Sequence, residues 1–242
     1  MAAASRNSPI VLITGSSRGI GAATAASLID RGALVIGHAR RPIADLIDAD
    51  LADLSAPQRI WQRALSRSGG RIDVLINNAG LFCANAIDRD DGAWQGAWEE
   101  TLRINLSAAA ELSRLAVLHW LAERRPGRIV HIASRAAHRG DSPDHWHYAA
   151  AKGGMIALHK TIARGYAHQQ ILSFAISPGF VATDMAADYL SENQAADIAA
   201  QIPLGRVASS EEIARIATFC ALDAPPSMTG AVIDANGASH VR

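Results

Sequence analysis

Two hydrophobic patterns alternate along the chain. Short, uninterrupted apolar runs, of which Ile10-Val11-Leu12-Ile13 is the first, are the pattern of parallel strands covered on both faces. Longer stretches with helical spacing separate them. The first run passes through a glycine-rich turn into an alanine-rich segment, Ala22 to Arg31, that stops at Gly32. A second strand is expected at Ala33 to Gly37 and a third at about Leu46 to Ala49. Residues 41–45 leave no room for the helix that a parallel crossover often carries, so a bare loop is expected there. A helix over about Ala56 to Ser66 and a strand at Val74 to Ile76 follow. Residues 94–123 then read as one long helix, with Trp94, Trp98, Leu102, Leu106, Leu112, Leu115, Leu118 and Leu121 as its apolar positions. Next come a strand at Arg128 to Ala133, a polar loop from Arg135 to His147, and a helix from Tyr148 to about His168. A strand at Ile171 to Ile176, a helix at Ser210 to Leu222 and a strand at Ala231 to Asp234 close the series. Seven strands alternating with helices predict an α/β chain, a doubly wound parallel sheet in a single domain over residues 1–242.

Composition narrows the partners. Hydrophobic residues make up 49% of the 242, enough for a sizeable core. Lys plus Arg and Asp plus Glu both total 23, so the basic excess that nucleic acid or an acidic membrane requires is missing. Cys83 and Cys220 lie far apart and show neither metal nor redox spacing. No apolar run approaches 18 residues, and Met1 to Pro9 lack the basic start and apolar core of a secretory signal. A cytoplasmic protein acting on a small molecule is expected.

Three stretches carry candidate chemistry. The turn Thr14-Gly15-Ser16-Ser17-Arg18-Gly19-Ile20-Gly21 joins a strand to a helix, the geometry in which backbone N–H groups meet a pyrophosphate. About 20 residues on, where an NAD site usually places a carboxylate, stand His38-Ala39-Arg40-Arg41. With Arg18 these arginines suit a 2′-phosphate, which favours NADP(H) over NAD(H). Asn77-Asn78-Ala79-Gly80 is a second small-residue turn at a strand's carboxyl end. Tyr148 and Lys152 are one helical turn apart with only alanine between them. An ammonium about 4 Å from a phenol, at an effective dielectric near 20, is worth about 4 kcal/mol, or about three pK units. That would bring the tyrosine from about 10 towards neutrality, although an ordinary surface helix can carry the same pair. Asn105 sits mid-helix, where it faces solvent or marks a functional break.

The ordered set Thr14-Gly15-x-x-x-Gly19-x-Gly21, Asp50-Leu51, Asn77 to Gly80, Asn105, Ser134, Tyr148-x-x-x-Lys152 and Pro178-Gly179 through Thr183 resembles the short-chain dehydrogenase/reductase family over nearly the whole chain. The resemblance implies a Rossmann-type sheet and assigns roles. Tyr148 is the general acid or base, Lys152 lowers its pKa and bonds the nicotinamide ribose, and Ser134 holds the substrate oxygen. Asn105 holds a water linking Lys152 to solvent. Gly15, Ser17, Arg18, Gly19, Ile20 and Gly21 cradle the phosphates, and Arg40 takes the 2′-phosphate. Asp50 and Leu51 meet adenine, while Asn78, Ala79 and Gly80 line its ribose. Pro178, Gly179, Val181 and Thr183 orient the nicotinamide. Family members are dimers or tetramers, here expected to associate through residues 94–123 and 148–168. The segment of about 184–202 resembles a mobile substrate lid.

The framework is similar to 3-oxoacyl-carrier-protein reductases, and a reductase of a carbonyl to a secondary alcohol is the leading expectation. The shortened crossover resembles dihydrodiol dehydrogenases, which keeps an NAD-dependent oxidation of a cyclic diol or alcohol open. A dinucleotide-binding regulator without turnover is the alternative of another class. The histidine-rich loop from His138 to His147 is expected to wall the substrate cavity, with Trp146 as an aromatic face, and no metal is expected. His131 is expected as a satisfied core histidine.

Overall fold

The computed structural model describes residues 8–183 and 197–242, so most of the expected lid, residues 184–196, lies outside the described residues. Seven parallel strands form one sheet: β1 (Ile10–Ile13), β2 (Leu34–Ala39), β3 (Ile47–Asp48), β4 (Val74–Asn77), β5 (Gly127–Ile132), β6 (Ile171–Pro178) and β7 (Val232–Ala235). Their order is β3-β2-β1-β4-β5-β6-β7. The chain works outward from β1 in one direction, then returns to lay β4 on its other side. In register, Val11 stands beside Val35 of β2 and Val74 of β4. The crevice at the carboxyl ends of β1 and β4 is therefore the switch point of the sheet, where open α/β folds bind ligands.

The apolar runs follow from this placement. Every residue of β1, β4 and β6 is buried, because helices cover both faces. On one face α2 (Ala56–Arg67) and α4 (Ala108–Ala122) pack Ile60, Trp61, Leu112 and Trp120 against Leu12, Leu75 and Ile129. On the other, α1 (Gly19–Asp30) and α7 (Ser210–Leu222) pack Leu28, Ile213 and Ala217 against Val11, Ile13 and Phe174. Helix α7 starts at a capping box in which the Ser209 hydroxyl accepts from the Glu212 N–H and the Glu212 side chain takes the Ser209 N–H.

Two elements depart from the expected pattern. The stretch over 94–123 is α3 (Asp91–Leu102) and α4, joined by a π-helical turn at Arg103–Ser107. That turn holds Asn105, fully buried, and widens the helix where its side chain leaves the axis. The polar loop after β5 is partly ordered into α5 (Ala136–Arg139), and α6 (Trp146–Tyr166) begins two residues before Tyr148. Residues 40–46 between β2 and β3 form a loop without a helix, as the spacing requires.

Candidate active site

The coenzyme end is built by the turns that leave β1 and β4. Gly15 and Gly19 adopt φ of +66° and +54°, backbone that L side chains rarely enter. The turns are tied together by Thr14, whose hydroxyl accepts from the N–H groups of Asn78 (3.1 Å) and Ala79 (3.0 Å). The Asn78 amide donates in return to the carbonyls of Thr14 (2.9 Å) and Gly15 (3.0 Å). Helix α1 has neither a side-chain cap at Arg18 nor an acidic residue in its first turn, so its N-terminal N–H groups and dipole face the crevice uncompensated. A Cβ on Gly15 would stand 2.8 Å from the Ala79 backbone. The space is shaped for close approach of a phosphate chain, and these residues fit a dinucleotide.

At the adenosine end, His38 is a residue the motif reading named only as a neighbour of the arginines. It is buried, and its Nδ1 accepts from the Gly15 N–H at 3.2 Å while its Nε2 donates to the Ala49 carbonyl at 2.9 Å. Burial holds its pKa below the usual histidine value, which keeps the ring neutral and the tautomer fixed by those two bonds. One imidazole thus pins the glycine turn to the ends of β2 and β3. Beyond it Arg40 and Arg41 are exposed, and neither pairs with a carboxylate among the described residues. Asp50 is exposed and Leu51 buried beside them.

The catalytic end lies across the sheet. Ser134 follows β5, and its Oγ accepts from the Ala136 N–H at 3.1 Å. Tyr148 and Lys152 project from the first turns of α6. Lys152 is buried, and its Nζ donates 2.8 Å to the Ile132 carbonyl while lying 5.7 Å from the centroid of the Tyr148 ring. The expected lowering of the phenol by Lys152 is not what the geometry gives. Burial pushes Tyr148 up to about 12, with the Ser134 hydroxyl pulling it back down and the Asp141 charge pushing it further up. The lysine is the group brought towards neutrality, lowered by burial to about 8. With its ammonium spent on a backbone carbonyl, it offers the phenol less than a direct 4 Å pairing would.

Asn105 is placed by the π turn so that its amide brackets Leu81, accepting from the Leu81 N–H at 2.7 Å and donating to the Leu81 carbonyl at 2.8 Å. It therefore fixes the chain just after the Asn-Ala-Gly turn. A Cβ on Gly80 would lie 3.3 Å from its Oδ1 and 3.7 Å from the Lys152 Nζ, which brings Asn105, Gly80 and Lys152 into one cluster.

A single cavity of about 870 Å³ joins the two ends. Gly15, Ser17, Arg18, Gly19, Ile20, Gly21, Arg40, Asp50, Leu51, Asn78, Ala79, Gly80, Ser134, Tyr148, Lys152, Pro178, Gly179, Val181 and Thr183 all line it. Asn105 stands behind its wall. The aromatic face expected of Trp146 is supplied by Phe82 instead. Trp146 is 54% exposed and, like His138, His145 and His147, is absent from the cavity lining, to which the loop contributes Arg135 and Asp141 instead. Phe82 meets the Tyr148 ring edge-on at 4.7 Å and stacks on His145 at 4.1 Å. The signal for Phe82 was its place two residues after Gly80, on the chain that Asn105 holds. Of the other loop histidines, His147 lies 3.8 Å from the Cys83 Sγ, and no group of three or more potential metal ligands occurs among the described residues. His131 is buried, but only half satisfied. Its Nδ1 lies 3.4 Å from the Asn77 amide, whereas its Nε2 has no partner among the described residues, and burial lowers its pKa to about 3. No described helix is long and apolar enough to cross a membrane.

A glycine-rich turn at one end of a cleft and a tyrosine, a serine and a buried lysine at the other are the parts that a dinucleotide-dependent oxidoreductase would need. The family profile described as enoyl-(acyl carrier protein) reductase matches residues 15–240. The 3-oxoacyl-(acyl-carrier-protein) reductase of Salmonella typhimurium is 36% identical over 245 residues, covering 96% of this chain and 97% of that protein. The same reductase of Escherichia coli strain K12 is 35% identical over 244 residues, with coverage of 96% and 97%. Among solved structures, a putative NAD(P)-dependent gluconate 5-dehydrogenase from Beutenbergia cavernae, with NADP bound at low occupancy, matches with a TM-score of 0.85 at 33% identity, over 95% of each chain. The chain belongs to the short-chain dehydrogenase/reductase family and is an NAD(P)-dependent enzyme interconverting a carbonyl and an alcohol.

Proposed function

We propose that the protein is an NADP(H)-dependent reductase of a small ketone, with Tyr148 as its general acid. The observation that carries this reading is the single cavity, which has the phenol and hydroxyl at one end and the exposed Arg40 and Arg41 at the other. In reduction the ketone gains a hydride at carbon and a proton at oxygen; bound NADPH supplies the hydride and leaves as NADP⁺. The chain's own part is acid chemistry and position. Ser134 donates to the substrate oxygen, steadying negative charge as it builds there. Tyr148, protonated throughout the neutral range because burial holds its pKa near 12, gives that oxygen its proton. Lys152 bonds the nicotinamide ribose, and Asn105 fixes the Leu81 backbone that walls this end. The exposed Arg40 and Arg41 rank the NAD-dependent diol dehydrogenase below this reading, and a cavity that brings Ser134, Tyr148 and Lys152 together ranks the regulator without turnover below it.

The preference for NADP(H) rests on Arg40 and Arg41, with the NADP-bound relative in support. Arg40→Ala should raise the KM for NADPH by about tenfold or more, the worth of one charge-assisted pair, and leave that for NADH within about twofold. Equal changes for the two coenzymes in steady-state titrations would remove the 2′-phosphate from the account. Association of two or four copies through the outer faces of α3, α4 and α6 belongs to the same reading. Light scattering should give a multiple of the 25.5 kDa chain, and a stable monomer would refute it.

A further inference from the structure

Arg135 is the most deeply buried arginine that faces the active cavity, at 8% exposure. It follows Ser134 directly, and its backbone N–H donates 2.9 Å to the Pro178 carbonyl, which fixes it against the turn after β6. Its guanidinium lies 4.7 Å over the ring of Phe180, another residue of the cavity wall. One nitrogen donates to the Ser239 hydroxyl. A guanidinium carries five N–H donors in a fixed fork, so donors remain. No described carboxylate pairs with Arg135; Asp141 acts on it only through space. Burial and the nearby Arg139 lower its pKa from the usual arginine value, the mark of a cation that lacks a counter-charge.

We propose that Arg135 is the anchor for a carboxylate on the substrate, so that the substrate is a short oxo acid, or the matching hydroxy acid. This rests on the reductase reading of the same cavity and names the class of substrate within it. Adjacency sets the size. Ser134 and Arg135 are consecutive residues that both line the cavity, and the reach of one arginine side chain bounds the gap between the reacting oxygen and the carboxylate, so the acid is a short one. The planar fork matches a planar carboxylate in two parallel bonds, and its stacking on Phe180 holds the plane still.

The test compares pyruvate, acetoacetate and levulinate with their methyl esters as substrates for the full chain and NADPH. In the wild type, kcat/KM for at least one acid should exceed that of its ester by about ten- to a hundredfold, the range of one charged hydrogen-bonded contact. Arg135→Gln should bring that ratio to near one while leaving turnover of the esters close to wild type. Arg135→Lys, which keeps the charge without the fork, should retain part of the preference. A wild-type preference for the esters would overturn the proposal, and so would a preference that survives Arg135→Gln. Equal loss on acid and ester in Arg135→Gln would make the residue structural only, and would overturn it too. If neither acids nor esters are turned over, the reductase reading fails separately. The anchor is then judged by thermal shift with NADPH, in levulinate against sodium chloride of equal ionic strength. Stabilisation by levulinate in the wild type that disappears in Arg135→Gln supports the anchor, and equal shifts in both proteins refute it.

Discussion

Tyr148→Phe should lower kcat for ketone reduction by about three orders of magnitude, within the span that general acid catalysis contributes. The coenzyme dissociation constant should stay within about twofold of wild type. The substitution removes one oxygen atom and its proton. The Tyr148 ring is packed edge-on against Phe82, a contact that phenylalanine keeps at this position, so the wall of the cavity survives the change. What goes is the proton that the substrate oxygen receives. Ser134 stays and still donates to that oxygen, so a residual rate above the uncatalysed one is expected. The pH profile adds a second reading. Because the phenol sits near 12, loss of its proton should not slow reduction until well above neutrality, whereas oxidation of the alcohol should quicken as pH rises. Stopped-flow and steady-state rates with NADPH measure both. Turnover like the wild type's in Tyr148→Phe would leave the site without its acid.

The parts of this centre differ in how plainly the chain declares them. Strands β1, β4 and β6 are legible because burial on both faces writes them as unbroken apolar runs, and the glycine turn is legible because only glycine meets its backbone demands. Tyr148 and Lys152 are legible as a spacing. Their electrostatics are not, because the Lys152 Nζ chooses the Ile132 carbonyl, 20 residues away in the chain, and that choice belongs to how α6 lies on β6 beside the end of β5. The π turn is hidden for a similar reason. Residues 94–123 keep helical spacing throughout, and the turn shows only in the double hydrogen bond between Asn105 and Leu81, 24 residues apart. His38 is the clearest case. Nothing in a strand-end histidine announces a bond to Gly15 on one side and to Ala49 on the other, since both partners come from neighbouring strands. Local pattern gives the elements, while the contacts that tune the chemistry are made between them.

The same distinction decides what one methyl group does at two helical glycines. Gly21→Ala should abolish tight coenzyme binding, with affinity down about a hundredfold or more, and lower Tm by about 5 °C. Gly165→Ala should leave binding unchanged and raise stability slightly. Both glycines lie in helices at ordinary φ, where alanine is the better helix former by about 1 kcal/mol. A Cβ at Gly165 meets nothing within 4 Å, so the propensity gain stands alone. At Gly21 it would lie 2.1 Å from the Gly15 carbonyl oxygen and 2.5 Å from the Asn78 Nδ2. Neither neighbour can give way cheaply. The Gly15 carbonyl belongs to the turn at φ +66°, and the Asn78 amide is already bonded to that carbonyl and to Thr14. Overpacking of this kind costs about 1–3 kcal/mol, which exceeds the helix gain and corresponds to several degrees of Tm in a chain this long. The strain also falls on the backbone that cradles the phosphates, so binding suffers more than the fold does. Isothermal titration with NADPH and thermal melts of the two variants separate the effects. Wild-type affinity in Gly21→Ala would mean that α1 and the β4 turn do not form the cradle on which the rest of the site depends.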